Sequence, residues 1–317
     1  MSVATPPRLP LDQAAVLALD LYGLPVTATP LPSERDQNIK LTRTDASHPA
    51  GSPAGQPGLK PGMQFVLKIA SASQDIAMLE AENEAMARVV AHIPGRCPTV
   101  LKSRNGKSIE RTQINGSAHA VRVITWLDGL PMGQVKRHSD GLLMDLGRVV
   151  GQVDRVLAGL DLPVLHRDFH WDLAHAARIV SDQARLVTGD STRAAIGRLF
   201  DHYLRDAVPG LSALPRQTIH NDANDYNVLA GGGHDLYTHH QTVTGLVDFG
   251  DMVFSQRVND LAIAMAYASL GKADPLAAAA QVARGYHTVN PLRENEIAVL
   301  FSLMAMRLGM SVCHAAR

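Results

Sequence analysis

Residues 220–227 read HNDANDYN. His220, Asp222 and Asn227 stand as H-x-D-x4-N, a histidine, a carboxylate and a carboxamide within eight positions. Val228 and Leu229 open an apolar strand pattern, and after a turn comes TGLVDFGD, in which Asp248, Phe249 and Gly250 form a second acidic turn. Such a set suits transfer of a γ-phosphoryl group. That reaction needs a carboxylate to orient the attacking hydroxyl and accept its proton. It also needs hard oxygen ligands for divalent cations on the phosphates, and a lysine to hold those phosphates. An Asn/Asp-rich turn beside a hairpin is the bland alternative, but it requires neither the downstream D-F-G nor an upstream lysine.

A second stretch, HRDFHWDL at 166–173, starts with similar letters and fails on spacing. Five residues after its Asp168 stands Leu173, which binds no metal, and a helix pattern rather than a hairpin follows. His166, His170 and His175 could place two imidazoles on one helical face, but no cysteine or paired carboxylate completes a metal set. The simpler expectation is that Trp171 packs and Asp172 makes a structural hydrogen bond.

The elements that must position these groups follow from periodicity. LDQAAVLALDLYGL (11–24) is a helix pattern stopped by a glycine. PVTATPLP and QNIKLTR read as two strands around a turn at SERD, and residues 44–62 are a loop packed with Ser, Pro and Gly. MQFVLKIA (63–70) is a strand with Lys68 in its middle, and PTVLKS and AVRVITWL read as further strands. Residues 73–93 form an amphipathic helix with Ile76, Leu79, Met86 and Val90 on roughly one face. Of its acidic residues, Glu82 lies nearest that face, Glu80 is second, and Glu84 is expected in solvent. After Asp128–Gly129 long helix patterns take over, at 139–159, 192–207, 256–270, 275–287 and 293–317, with a hairpin at 226–250 set among them. The fold class is therefore α+β: a β-rich part over 1–127, then a mostly helical part over 128–317.

Composition narrows the setting. The 317 residues are 46% hydrophobic, 19% charged and 4% aromatic, so core material is ample and mostly aliphatic. Thirty basic residues balance thirty acidic ones, so no charge excess points to nucleic acid or an anionic membrane as a partner. Two cysteines, Cys97 and Cys313, are too few for a disulfide framework and suit a reducing compartment. No signal peptide pattern opens the chain, and the longest apolar stretch, 298–310, is broken by Arg307 and too short to span a bilayer. A cytoplasmic protein is expected. The last helix pattern runs to Arg317 with no stop signal, as in a fragment of a longer chain.

SERDQNIKL, FVLKIA, LEAENEAM, VRVITWLDG, IHNDANDYNVL and VDFGDMVFSQRVNDLAIAMAYA together resemble the aminoglycoside phosphotransferase and choline kinase superfamily, and within it the hydroxylysine-kinase-like branch. The resemblance implies a bilobal protein-kinase-like fold, with an antiparallel sheet and one main helix before a helical lobe. It implies ATP and Mg²⁺ as cofactors. Lys68 would hold the α- and β-phosphates, paired with Glu82. Asp222 would be the base, braced by His220, with Asn227 and Asp248 as metal ligands. Asp260 would hydrogen-bond the catalytic-loop backbone. ITWLDG would be the hinge, with the Thr125 and Leu127 backbone near the adenine, and SERDQN (33–38), with Ser33, would cover the phosphates.

The chain lacks the G-x-G-x-x-G of protein kinases, and no A-P-E or activation loop follows D-F-G. That favours a small-molecule acceptor over a protein. The expected activity is an O-kinase for an amino alcohol or hydroxylated amino acid such as 5-hydroxylysine, its ammonium read by Asp225, Asp251 or Asp172. An aminoglycoside, homoserine or choline acceptor is the alternative, and a nucleotide-binding pseudokinase module the alternative from another class. The resemblance also extends to fusions with an aminotransferase-like domain, of which these residues hold none.

Overall fold

The computed structural model describes residues 7–33, 36–44, 59–235 and 237–317. Residues 45–58 of the expected loop, and Glu34 and Arg35 of the SERD turn, lie outside the described residues. The chain forms two compact units, Met1–Ala87 with Pro98–Leu127, and Arg88–Cys97 with Asp128–Arg317.

The first unit opens with α1 (Leu11–Tyr22), which ends on Gly23 at φ 68°, a left-handed cap that favours glycine. Five strands follow: β1 (Val26–Leu31), β2 (Gln37–Arg43), β3 (Gln64–Ile69), β4 (Glu110–Ile114) and β5 (Ser117–Thr125). They form one antiparallel sheet in the order β1-β2-β3-β5-β4. Period-two alternation divides its faces. Ile39, Leu41, Phe65, Leu67, Ile69, Val121 and Val123 pack with Ala14, Ala18 and Tyr22 of α1. The intervening residues, Asn38, Lys68 and Arg122, are cross-strand neighbours in one row on the other face. On that face lies α2 (Ile76–His92), through Ile76 and Leu79 packed against Ala70 and Ala120. Its residues from Arg88 onward group with the second unit. The strand expected at PTVLKS is only an isolated bridge, Val100 to Ile124. Pro98 and the cap bonds around Ser103 leave that segment too few ladder bonds to form a strand.

The second unit contains β6 (Leu130–Pro131), α3 (Asp140–Leu157), α4 (Ala176–Gln183), α5 (Asp190–Asp206), α6 (Val208–Leu211), β7 (Arg216–Ile219), β8 (Val228–Gly231), β9 (Thr242–Leu246), β10 (Val253–Gln256), α7 (Val258–Ala268), α8 (Pro275–Val289) and α9 (Glu294–Ala315). Almost every residue of α7 is buried, so it is the central helix. α3 and α8 pack through glycines. A Cβ on Gly147 would strike the Val282 carbonyl oxygen, and one on Gly285 the Met144 carbonyl oxygen. α9 has 22 residues and a mean hydropathy of 1.6 over its most apolar window, long and apolar enough to cross a membrane, yet 61% of that window is buried inside the fold. The apolar stretch expected to be too short for a span is thus part of a longer helix, whose apolar sides face α4, α5 and α7.

Strand pairing places the site. β7 pairs with β10, and β8 with β9, all antiparallel. The β7–β8 connection, residues 220–227, and the β9–β10 connection, residues 247–252, therefore lie side by side. β7 and β10 have no counterpart among the strands expected from sequence, since four-residue strands carry too little periodicity to register.

Candidate active site

The loop after β7 is held from three directions. Asp260, fully buried on α7, accepts from the backbone N–H groups of His220 at 3.2 Å and Asn221 at 2.8 Å. That clamp fixes Asn221 at φ 66°, a left-handed conformation that asparagine tolerates better than most residues. Asn221 Nδ2 then donates to the Asp251 carbonyl at 3.1 Å, tying the loop to the acidic turn. His220 completes the brace. Its Nε2 lies 3.1 Å from the Val247 carbonyl, and its Nδ1 accepts the Asp222 N–H at 3.2 Å. Burial lowers its pKa, so the ring is neutral, which this donor-and-acceptor pair of bonds requires. The Phe249 ring meets it edge-on.

Asp222 is thereby aimed at a small cluster. Its Oδ2 accepts from Asn227 Nδ2 at 2.7 Å and Asn224 Nδ2 at 3.0 Å, and its Oδ1 pairs with Arg307 Nη2 of α9 at 2.9 Å. Burial pushes the carboxyl up to about 7. Arg307 and the Asn224 hydrogen bond pull it down, while Asp251 and Asp248 push it up. A base poised near neutrality suits proton acceptance from an alcohol. Asp248 sits at φ 63°, and its carboxylate accepts the Gly250 N–H at 3.4 Å.

The donor set fits a small hard cation. Asn227 turns its amide nitrogen to Asp222, so Oδ1 points away from that carboxylate, and Asp248 adds carboxylate oxygens. Among the described residues no cluster of three or more His, Cys, Asp or Glu could hold a metal alone. One carboxylate and one carboxamide, with phosphate oxygens completing the shell, is how Mg²⁺ is commonly bound at phosphoryl-transfer sites.

The HRDFHWDL segment has a structural part that spacing did not reveal. Arg167 donates to the carbonyls of Gly250 at 2.8 Å and Met252 at 2.9 Å, fastening the D-F-G turn from outside. Phe169 packs on Ile219 and Val253, beneath that turn. Asp172 is 3% exposed, and its Oδ1 accepts from the Ala174 N–H and the Ser255 hydroxyl, the structural hydrogen bonding expected of it. The histidines go to separate neighbours, His166 to Asp161 and His175 to Asp168.

Asp225 stays in reach of the loop surface. Its carbonyl accepts the Gly133 N–H at 2.8 Å, and a Cβ on Gly133 would come within 2.8 Å of its Oδ2, so a larger residue there would make the Asp225 carboxylate shift. Burial raises the Asp225 pKa, against a backbone hydrogen bond and nearby His138.

Behind the loop lies a buried polar chain. Asp154 of α3 is fully enclosed, and its Oδ2 accepts the Tyr286 hydroxyl at 2.6 Å. Burial first, then the Asp260 carboxylate, drive its pKa well up, which favours the protonated form. The proton keeps two adjacent carboxyl groups compatible in the dry interior.

In the first unit, Lys68 and Arg122 are directly opposite on β3 and β5. Glu82, 4% exposed on α2, forms a buried ion pair with Arg122, and Asn83 Oδ1 accepts from the same guanidinium at 2.9 Å. Arg122 was not singled out in the sequence; the alternation of VRVIT placed it on the Lys68 face and was the available signal. Glu80 and Glu84 are exposed. Ser33 is exposed at the end of β1, and Asp36 Oδ1 accepts the Ser71 N–H at 3.0 Å. Leu127 is half-buried, and the Thr125 N–H is bonded to the Thr99 carbonyl at 2.9 Å.

The chain is similar to several known kinases. Hydroxylysine kinase of Xenopus laevis is 28% identical over 98% of this chain and 83% of its own length. That of Mus musculus is 26% identical over 96% and 81%. A microcompartment-associated aminopropanol kinase superposes with a TM-score of 0.69 at 17% identity, over 95% of this chain and 88% of that one. An amicoumacin kinase solved with AMP-PNP and Ca²⁺ gives 0.66 at 15%, over 95% and 84%. The expected α+β protein-kinase-like fold is thus the fold observed. Residues 57–297 match the family model described as phosphotransferase enzyme family, and the chain belongs to that family.

Proposed function

We propose that this chain is an ATP-dependent kinase for the hydroxyl of an amino alcohol or hydroxylated amino acid, with 5-hydroxylysine the first acceptor to test. The observation that carries the reading is Asp222: a half-buried carboxylate pushed up to about 7, fixed by Asn227, Asn224 and a braced loop, beside an acidic turn. The hydroxylysine kinases that match over nearly the whole chain support the acceptor class.

In the proposed reaction, Asp222 accepts a hydrogen bond from the acceptor hydroxyl and orients its oxygen toward the γ-phosphorus. As the new O–P bond forms, the bond from the γ-phosphorus to the bridging oxygen breaks and ADP leaves. The hydroxyl proton passes to Asp222. Asn227 Oδ1 and the Asp248 carboxylate would hold Mg²⁺, which when bound neutralises phosphate charge. Lys68 would hold the α- and β-phosphates, on a sheet face that the Arg122–Glu82 pair keeps ordered. Asp225 and Asp251 remain the candidates for the acceptor's ammonium. Two buried cysteines far apart in sequence suit the cytoplasm we assign it to.

The test is ADP release from Mg·ATP with a panel of 5-hydroxylysine, 1-amino-2-propanol, homoserine, choline and an aminoglycoside, with the phosphorylated product identified by ³¹P NMR. Hydroxylysine should give the highest kcat/KM. Turnover confined to the aminoglycoside would overturn the acceptor class, and tight Mg·ATP binding without turnover on any alcohol would revive the pseudokinase alternative.

A further inference from the structure

Arg307 is a cation where an ammonium-bearing acceptor would not be expected to want one. It comes from α9, is 1% exposed, and reaches the base itself, with Nη2 2.9 Å from Asp222 Oδ1. Nη1 donates to the Trp171 carbonyl at 2.9 Å, and the guanidinium lies over the Trp171 ring at 4.6 Å, with the Tyr267 ring at 5.6 Å. Nε is enclosed and has no hydrogen-bond partner among the described residues. A buried, charged N–H left unpaired is costly.

We infer that Arg307 is the binding group for a carboxylate on the acceptor, so that the enzyme selects hydroxylated amino acids over amino alcohols that lack one. The inference rests on the acceptor reading above and narrows it. The Nε–Nη2 edge is the side of a guanidinium that a carboxylate grips with two parallel hydrogen bonds. Such a grip satisfies Nε and shares Nη2 with Asp222. Charge points the same way. When Asp222 takes the hydroxyl proton it loses its negative charge, and Arg307 loses its counterion at that moment; an acceptor carboxylate supplies a lasting one. An acceptor carrying only ammonium groups would meet repulsion from Arg307 with nothing in return. In 5-hydroxylysine a short methylene spacer separates the hydroxyl carbon from the amino-acid head, which allows one end to meet Asp222 and the other Arg307.

The experiment compares kcat/KM for 5-hydroxylysine and its decarboxylated counterpart, 1,5-diamino-2-pentanol, in the full chain and in Arg307→Met and Arg307→Lys. The wild type should favour the amino acid by about a hundredfold, as expected from the cost of leaving a buried polar group unpaired. Arg307→Met should lower turnover of both, since Asp222 also loses a partner, but should bring their ratio to within a few-fold; Arg307→Lys should restore part of the ratio. Should Arg307→Met not fold, inhibition of the wild type decides. L-lysine should inhibit at least about tenfold more tightly than cadaverine. Equal efficiency on both acceptors in the wild type, an equal loss on both in Arg307→Met, or equal inhibition by lysine and cadaverine overturns the inference alone. Turnover of neither acceptor, with activity on another alcohol, overturns the acceptor class itself.

Discussion

At the residue scale, Asp222 concentrates the chemistry because its surroundings conflict. Burial and two neighbouring aspartates oppose its charge, while one guanidinium and two carboxamides support it. Asp222→Asn keeps the shape and removes the proton acceptor. Turnover should fall by roughly 10²–10⁴-fold while Mg·ATP binding, followed by calorimetry, persists. Near-wild-type ADP release in that variant would exclude Asp222 as the base. Asn227 illustrates why residue type matters as well as position: its nitrogen steadies the base, and the same amide still presents an oxygen.

At the scale of elements, two contacts hold the parts in place. The Glu82–Arg122 pair joins α2 to β5 with both side chains about 5% exposed or less. Arg122→Met leaves a buried carboxylate without its cation and should cost about 3–5 kcal/mol in urea unfolding. A loss below about 1 kcal/mol would show that the pair does not hold the helix. The α3–α8 contact depends on backbone proximity, with Gly147 and Gly285 each facing a carbonyl across the interface. Gly285→Ala must push the helices apart, and about 3 kcal/mol or more of destabilisation is expected, seen as a lower thermal midpoint. Asp154 sits on α3, so the same displacement would loosen its hydrogen bond to Tyr286 of α8.

For the whole molecule, stability should carry the mark of Asp154. Its folded-state pKa lies well above the ordinary 3.8, so the folded state binds the proton more tightly than the unfolded chain. The resulting stabilisation is complete below that ordinary value. It is lost progressively as pH rises toward the folded-state pKa. Asp154→Asn has no proton to lose and mimics the protonated carboxyl. Denaturant unfolding from pH 4 to pH 8 should therefore show wild-type stability declining relative to Asp154→Asn as pH rises. A constant difference across that range would mean that Asp154 is ionised in the fold.

The linear chain determined much of this protein by itself, wherever the information was local. Period two over FVLKI and VRVIT, and period 3.6 over residues 73–93, are properties of neighbouring side chains, so β3, β5 and α2 could be read directly. The spacing of His220, Asp222, Asn227 and Asp248 is likewise local, because one loop and one hairpin carry all four. Tertiary structure decided what depends on distant segments meeting. Arg307 reaches Asp222 from 85 positions along the chain, Arg167 fastens a turn 83 positions away, and the Asp154 pKa rises because packing encloses it and α7 brings Asp260 beside it. No periodicity marks these partners, since each is one residue on an element whose fold is set by its apolar face. The groups that can carry the chemistry are written in the sequence; packing determines which charges surround them and so what they can bind.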